Sequence, residues 1–480
     1  MASARLFSPA EAADHSSAAL FHASEGAEGT NVRGLAIDSR QVKEGDLFVA
    51  LQGERTDGHN FLEEVARRGA AAVLIANEYC REEDHVDRLT RLGPAVLTAD
   101  EPLSALQELA EWWVARHPGC LRIGVTGSNG KTTTKELIAS ILRQEGQTVW
   151  NEGNFNSEIG LPLAVFSITP QHRYGVFEMG MNHPGEMETL TRVLKPHYMV
   201  LTMLGTAHIG LLGSREAIAR EKSRPFTALP AEGAGFLPEE TEWEEFFTPK
   251  SGAPLYRFGS ESQEGYRGAE NLGLEGWRIH LGGYALHFPL IGEHNLSNAL
   301  AAVRIARQLG ISWDSIRWGL ETVAPVWGRS AISRGAVTIV EDLYNANTES
   351  VSAMLRWLNS TVIGGRLICV LGAMKELGQE SEAAHRSVGR IVAETEPDAA
   401  FFFGSETAAA LEEAREAGFS GTGGCYTEYE ELEEGLRNFV RKGDTVLLKG
   451  SRSMELERLV QPLQKAAEQT DHAPSQCEHK

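Results

Sequence analysis

Leu121-Arg-Ile-Gly-Val-Thr-Gly-Ser-Asn-Gly-Lys-Thr-Thr-Thr134 decides how this chain folds. Its first half is apolar and runs into Gly127 and Gly130. Lys131–Gly146 then carries Leu137, Ile138, Ile141 and Leu142 at helical spacing, on one face. Strand, glycine loop, helix is the opening unit of a doubly wound α/β domain. The glycines let the backbone turn so that several N–H groups aim at one phosphate, and the helix adds the positive end of its dipole. Lys131 can reach β- and γ-phosphates as a point charge, and the Thr132 hydroxyl suits Mg²⁺. The loop is a shortened phosphate loop, because position 125 is Val and Gly124 lies one residue too early for G-x-x-x-x-G-K-(S/T).

On the N-terminal side, Val32–Arg40 and Asp46–Gly53 read as short strands with a turn at Lys43–Asp46. Phe61–Gly69 reads as a helix with a glycine stop, Ala70–Ala76 as a buried strand, and Ala95–Asp100 as another. A helix over Pro102–Arg116 is broken by His117-Pro-Gly. On the C-terminal side, Tyr174–Met179 and His197–Leu204 read as strands and His294–Gly310 as a helix. Glu232–His287 is rich in Gly and polar residues and reads as short strands and turns. A further unit starts near Pro325–Arg329. There Val337–Asn347, Arg366–Met374, Ala399–Gly404 and Asp444–Arg452 each run from strand to loop, with a helix over Ser350–Asn359. Strands alternating with helices call for a parallel sheet covered on both faces. The tail Gln469–Lys480 reads as disordered.

At 480 residues the chain has room for two to four domains. Its net charge of −21 and lack of a dense basic block exclude a nucleic-acid binder. The 5 cysteines are scattered, which argues against a disulfide framework and a zinc site. Met1–Ser17 has no apolar core after a basic start, and no apolar stretch approaches the roughly 20 residues that span a bilayer. No membrane insertion and a cytoplasmic location are expected.

Gly124–Glu136 resembles the ATP loop of the Mur ligases, the amide-forming enzymes of peptidoglycan precursor synthesis. The resemblance runs from about Val32 to Val460. Glu341-Asp-Leu-Tyr-Asn-Ala-Asn347, Leu371–Gly378 with His385, and Leu448-Lys-Gly-Ser-Arg-Ser453 resemble D-D-S-Y-N-A-N, L-G-D-M-x-E-L-G…H and V-K-G-S-R-S. These belong to the family branch that adds D-alanyl-D-alanine. The D-N-P-R segment of the sister branch adding the third amino acid is not found.

The resemblance implies three α/β domains. These are a small UDP-sugar-binding domain over 1–105, a central ATP-binding parallel sheet with helices over 106–323, and a Rossmann-like domain over 324–480 that binds ATP and the amino substrate. It implies ATP and Mg²⁺ as cofactors, UDP-N-acetylmuramoyl-tripeptide and D-alanyl-D-alanine as substrates, and a monomer.

It also carries residue roles. Gly127, Ser128, Asn129, Gly130, Lys131, Thr132 and Thr133 would hold the nucleotide phosphates, and His294, Asn295 and Asn298 the base. Asp342 would meet the ribose, and Arg329 a phosphate. Thr132, Glu178 and His208 would serve Mg²⁺. Lys222 falls where the family carries a carbamylated lysine, which must lose its proton before it adds CO₂; here the order is Glu221-Lys-Ser-Arg-Pro225. Asp38, Ser39, Arg40 and the segment Gln52–His59 would bind the UDP-sugar, and Asn154 and Asn156 the muramyl-peptide end. Tyr344, Asn345, Asn347, Lys449, Ser451 and Arg452 would line the site from the third domain. The chain differs from the family pattern at Ala373 (Asp), Leu343 (small polar), Thr348 (Pro) and Ser157 (Asn). The residues leave open another ligase of this type with a different amino substrate, a phosphate-loop kinase, and a non-catalytic UDP-sugar-binding relative.

Overall fold

The computed structural model describes residues 5–23, 30–53, 56–81, 93–361 and 363–470. Glu54 and Arg55 of the Gln52–His59 segment, and most of the predicted tail, lie outside the described residues.

The first third begins with helix α1 (Pro9–Asp14), where Ser8 and Glu11 form a capping box around a proline start. Strands β1 (Ala19–His22), β2 (Gly34–Ala36), β3 (Asp46–Val49), β4 (Ala72–Ala76) and β5 (Ala95–Ala99) make one sheet in the order β1-β5-β4-β3-β2. β2 to β5 are parallel, and β1 closes the edge antiparallel to β5. Helix α2 (Leu62–Arg67) places Leu62 and Val65 on Phe48, Val73 and Ile75. Helix α3 (Pro102–Ala115) follows, with proline at its first turn.

The middle of the chain supplies β6 (Leu121–Thr126), α4 (Lys131–Leu142), β7 (Thr148–Trp150), α5 (Gly160–Val165), β8 (Tyr174–Glu178), α6 (Glu186–Leu194) and β9 (Tyr198–Leu201). Then come α7 (Ile209–Leu212), α8 (Arg215–Thr227), β10 (Ala234–Pro238) and β11 (Leu255–Phe258). The Gly- and polar-rich stretch resolves into the antiparallel strands β12 (Tyr266–Asn271), β13 (Trp277–Leu281) and β14 (Tyr284–Phe288). Gly282-Gly283, both at positive φ, turn β13 into β14. Helices α9 (Glu293–Gln308) and α10 (Trp313–Glu321) complete this part.

The last third contains β15 (Ala331–Arg334), β16 (Thr338–Asp342), α11 (Thr348–Asn359), β17 (Leu367–Gly372), α12 (Ser381–Thr395) and β18 (Ala399–Phe403). It ends with α13 (Ala408–Glu416), β19 (Thr422–Tyr426), α14 (Tyr429–Phe439), β20 (Thr445–Lys449) and α15 (Val460–Thr470). Its sheet runs β15-β16-β20-β17-β18-β19, parallel except at β15. Strands buried on both faces, such as Leu367–Gly372 and the Val446–Leu448 centre of the last strand, read as apolar runs for that reason. Helix α15 extends to Thr470, two residues into the predicted tail.

The chain forms two compact units. One comprises Met1–Gly124, Gly146–Tyr198 and Ala228–Glu232; the other comprises Val125–Glu145, Met199–Thr227 and Gly233–Lys480. The first holds the five-stranded sheet and the order β6-β8-β7. The second holds β11-β10-β9, the end of β6, the β12–β14 ribbon and the C-terminal sheet. Among the described residues, no helix is long and apolar enough to cross a membrane.

Candidate active site

The phosphate loop is built by β6 ending at Thr126 and α4 starting at Lys131. Gly127 (φ 148°) and Gly130 (φ 81°) hold conformations that a side chain would strain. The loop is stapled to the segment after β9. Ser128 N donates to Met203 O at 2.9 Å, Gly205 N donates to Ser128 Oγ at 2.9 Å, and Thr202 Oγ1 donates to Asn129 O. Helix α4 buries Leu137, Ile138, Ile141 and Leu142, the face read from the sequence. The helix behind the loop is therefore fixed, and its N-terminal dipole with it. Thr132 and Thr133 are buried in the first turn.

Two lysines converge on one carbonyl. Lys131 Nζ and Lys222 Nζ each donate to Gly127 O at 3.0 Å. Lys222, in α8, is only 1% exposed, which makes it part of the loop's packing rather than a surface cation. The neighbouring Glu221 is also buried and is held by Arg224 at 2.9 Å. Asn298 of α9 faces the same loop: a Cβ added at Gly130 would fall 2.5 Å from its Oδ1. Asn298 Nδ2 donates to Asn295 Oδ1 at 3.2 Å, so the two asparagines share one face as their spacing predicts. Asn295 in turn donates to Ile291 O at 2.7 Å. His294 packs against Gly292, and burial pushes its imidazole below the usual range.

The last third reaches the same loop. Asn129 and Asn347 form a reciprocal amide pair, with Nδ2 to Oδ1 distances of 3.1 and 3.0 Å. Glu349 accepts from both Thr206 N and Thr206 Oγ1 at 2.9 Å. His208 sits in the left-handed region (φ 65°), with Nδ1 3.1 Å from Glu376 Oε2. The His208 ring holds the Glu376 carboxyl below its usual range. Gly210 faces the backbone of Glu376–Gly378 so closely that a Cβ would lie 2.8 Å from Glu376 O. Thr206, Glu349 and Leu377 also wall a cavity of about 980 Å³ bounded by α11 and α12.

Asp342 and Lys449 end the paired strands β16 and β20 and are in register. Their charges meet at 2.6 Å, with Lys449 buried; its Nζ also lies 3.4 Å from Asn345 O. Arg329 stacks over the Tyr344 ring at 4.0 Å, and Arg452 over the Trp327 ring at 4.9 Å while pairing with Glu457. Ser451 Oγ accepts from Lys375 N at 2.9 Å. Ala373, where the family pattern has Asp, is fully buried beside Gly404 and donates its N–H to Phe403 O. Lys375 nearby pairs with Glu406 and holds that carboxyl down at about 2.

The other unit contains a cavity of about 1170 Å³ lined by Asp38 and Arg40 together with Trp150, Asn151, Glu152 and Phe155. Of the residues predicted for the UDP-sugar and muramyl-peptide, Asp38 and Arg40 line it, and Ser39, Asn154 and Asn156 do not. Asp38 caps the short turn Ser39–Gln41 and pairs with Arg40 at 2.8 Å; these bonds hold its carboxyl well below the usual range. Ser39 is buried within that turn. Asn154 O accepts from Asn156 N, which shapes the turn ahead of α5. Glu178 ends β8, is 2% exposed, and accepts from Asn156 Nδ2 at 2.7 Å. Asn151 clamps the Glu178 backbone from both sides, accepting from its N–H and donating to its C=O.

The sequence reading missed Thr202, Glu349 and Asn151, and gave Glu376 no role although it falls within the quoted Leu371–Gly378 segment. Of the first three, only Glu349 left a trace in the sequence, as an acid in the first turn of a capped helix.

Three family models match the chain: "Mur ligase family, catalytic domain" over 31–111, "Mur ligase middle domain" over 125–306, and "Mur ligase, glutamate ligase domain" over 328–452. The UDP-N-acetylmuramoyl-tripeptide--D-alanyl-D-alanine ligase of Treponema pallidum is 38% identical over 90% of this chain and 94% of its own length. The ligase of the same name from Bacillus subtilis is 32% identical over 91% and 94%. Among solved structures, MurF from Acinetobacter baumannii superposes with a TM-score of 0.81 at 30% identity, covering 91% of this chain and 94% of that one. MurF from Thermotoga maritima, solved in complex with ADP, gives 0.78 at 26% identity, covering 92% and 99%. The chain belongs to the Mur ligase family, on its MurF branch.

Proposed function

We propose that this chain is an ATP-dependent ligase that joins D-alanyl-D-alanine to UDP-N-acetylmuramoyl-tripeptide. The observation that carries this reading is the stapled loop Gly127–Thr132, in a chain that is 38% identical to such a ligase over 90% of its length. In the reaction, a carboxylate oxygen of the tripeptide attacks the γ-phosphorus of ATP and ADP leaves. The amine of the dipeptide then attacks the acyl-phosphate carbon, loses its proton, and phosphate leaves. Anionic groups must meet without repelling one another, so positioning and fixed positive charge are the expected means of catalysis.

In this reading the loop amides and Lys131 take the phosphates, and Asn295, Asn298 and His294 the base. Asp342 takes the ribose, and Arg329 swings from Tyr344 to a phosphate. The cavity lined by Asp38, Arg40, Trp150 and Phe155 takes the UDP-sugar. Lys449, Ser451 and Arg452 line the amino-substrate side together with Tyr344 and Asn345.

Among the described residues no group of three His, Cys, Asp or Glu side chains forms a metal cage. Mg²⁺ does not require such a cage, because it keeps waters and phosphate oxygens and takes few protein groups. Thr132 and His208 would serve it, and when bound it offsets the phosphate charge. Lys222 is proposed as the carbamylated lysine. Its conversion to an anion would turn two cations at the Gly127 carbonyl into an ion pair with Lys131. We also infer three domains, divided at 105 and 323; the match of three family models in succession supports the number of domains. A monomeric, cytoplasmic protein is part of the same reading.

The test is phosphate release with ATP, Mg²⁺, the tripeptide nucleotide and D-alanyl-D-alanine, with mass analysis of the product. Stoichiometric UDP-N-acetylmuramoyl-pentapeptide is expected. Turnover that needs a different amino substrate would refute the dipeptide assignment, and no turnover with any amino substrate would refute the ligase reading.

A further inference from the structure

The first turn of α11 makes two side-chain connections to the nucleotide end of the same unit, and neither has a role in the reading above. Asn347 is the N-cap of α11: its Oδ1 accepts from Ser350 N at 2.9 Å and also from Asn129 Nδ2 in the phosphate loop. Its Nδ2 donates back to Asn129 Oδ1 at 3.0 Å. Two residues on, Glu349 receives both the backbone N–H and the hydroxyl of Thr206. Asn129 and Asn347 are 218 residues apart in sequence, and Thr206 and Glu349 are 143 apart. Both links therefore exist only when the last third is docked against the loop.

The docking surface is cut for this approach. Gly205, just before Thr206, leaves 3.3 Å between a hypothetical Cβ and the Glu349 carboxyl. Gly210 and Gly378 meet with similar closeness. The charge-assisted, two-pronged hold on Thr206 is the stronger of the two links, because a carboxylate acceptor roughly doubles the strength of a hydrogen bond. It fixes the turn that presents His208 two residues later in its left-handed conformation.

We propose that Asn347 and Glu349 are positioning residues. Together they clamp the phosphate loop and the Thr206–His208 turn into their working geometry when the last third docks. Asn347 then acts on the loop through Asn129 instead of touching substrate, since its amide is spent on the cap and the reciprocal pair. The inference rests on the ligase reading for its activity readout.

Three variants separate clamp from fold. Asn347→Asp keeps the helix cap, because aspartate caps as well as asparagine. It sets a carboxylate oxygen against Asn129 Oδ1 and so removes one of the pair's two bonds, while Asn129 Nδ2 keeps an acceptor. Glu349→Ala removes both bonds to Thr206, and Glu349→Gln keeps an acceptor for the Thr206 N–H. Each is measured for melting temperature, for kcat and KM of both substrates, and for backbone hydrogen exchange over residues 203–210 without ligand.

The expected result is an unchanged melting temperature and faster exchange over 203–210 in Glu349→Ala. A fall in kcat of roughly tenfold to a hundredfold is expected in Glu349→Ala and Asn347→Asp, with little change in KM for the UDP-substrate. Glu349→Gln should recover part of both effects. Wild-type kcat and wild-type exchange in Glu349→Ala would overturn the clamp. A rise in KM for the UDP-substrate or the dipeptide in Asn347→Asp, at constant kcat, would return Asn347 to the substrate and overturn its part. A wild-type chain that makes no pentapeptide would sink the ligase reading alone, because the exchange measurement needs no substrate and still judges the Glu349 link.

Discussion

Replacing Gly127 by alanine puts a methyl group where the loop has no room. The added Cβ would lie 1.9 Å from Thr202 Oγ1, about 1.5 Å short of ordinary contact, and 3.1 Å from Met203 N. At φ 148° the backbone itself disfavours any side chain, which costs about 1–2 kcal/mol. Overpacking in so tight a place adds about 1–3 kcal/mol. Thr202 can yield only by rotating away from Asn129 O, losing a hydrogen bond worth about 0.5–1.5 kcal/mol net. The total is roughly 3–6 kcal/mol. The loop, held on one side by packed residues, will move before the sheet does. If half of that strain falls on the nucleotide-binding geometry, ADP affinity drops roughly tenfold to a hundredfold. Calorimetric titration of Gly127→Ala with Mg-ADP, beside a thermal melt, measures both shares. Adding Thr202→Ala removes the clashing oxygen, so the double variant should lose less than the two single variants combined. Wild-type ADP affinity and melting temperature in Gly127→Ala would refute the steric argument and, with it, the idea that this loop is rigid before nucleotide arrives.

Two further predictions come from buried charge. Lys449→Met leaves the largely buried Asp342 without its cation and should destabilise the fold by about 3–5 kcal/mol in chemical denaturation. The double change with Asp342→Asn should recover much of that, and a loss below about 1 kcal/mol in the single variant would show that the pair does not hold β16 to β20. His197 accepts the Arg122 N–H through Nδ1, and burial, followed by the Arg122 charge, pushes its imidazole down to about 4. A histidine depressed in the fold contributes stability that is complete above its unfolded value near 6.5 and is lost as pH falls toward 4. His197→Asn keeps an acceptor and cannot titrate, so its stability should fall less steeply than wild type between pH 6.5 and 4; identical slopes would refute the assignment.

The elements that were legible in the sequence are those whose burial imposes a pattern. Leu367–Gly372 and Val446–Leu448 are buried on both faces, so they are apolar runs. Helix α4 shows its face because four of its apolar residues pack inward at helical spacing. Elements at the edge left no such mark. β7 is three residues long, and β19 carries two adjacent glycines at the exposed end of its sheet. The capping box Ser8-Pro-Ala-Glu11 did announce α1, a short-range signal that went unread beside the polar tail of residues around it.

The site divides along the same physical line. The phosphate loop is local: its glycines, lysine and threonine lie within one turn of chain, and their spacing alone states their chemistry. Asp342 and Lys449 were each read as facing a ligand, yet the register of β16 on β20 turns them toward each other. That pairing depends on which strand lies beside which, and sequence spacing of 107 residues carries no trace of it. Glu349 is the sharper case. An acid in the first turn of a helix has an adequate local explanation in the helix dipole, so nothing in the sequence calls for a second role. Only docking supplies Thr206 as its partner. Contacts that assemble a site from distant segments are thus the part of a ligase least visible in its sequence. They are also where a substitution such as Glu349→Ala can lower turnover while every recognisable motif stays intact.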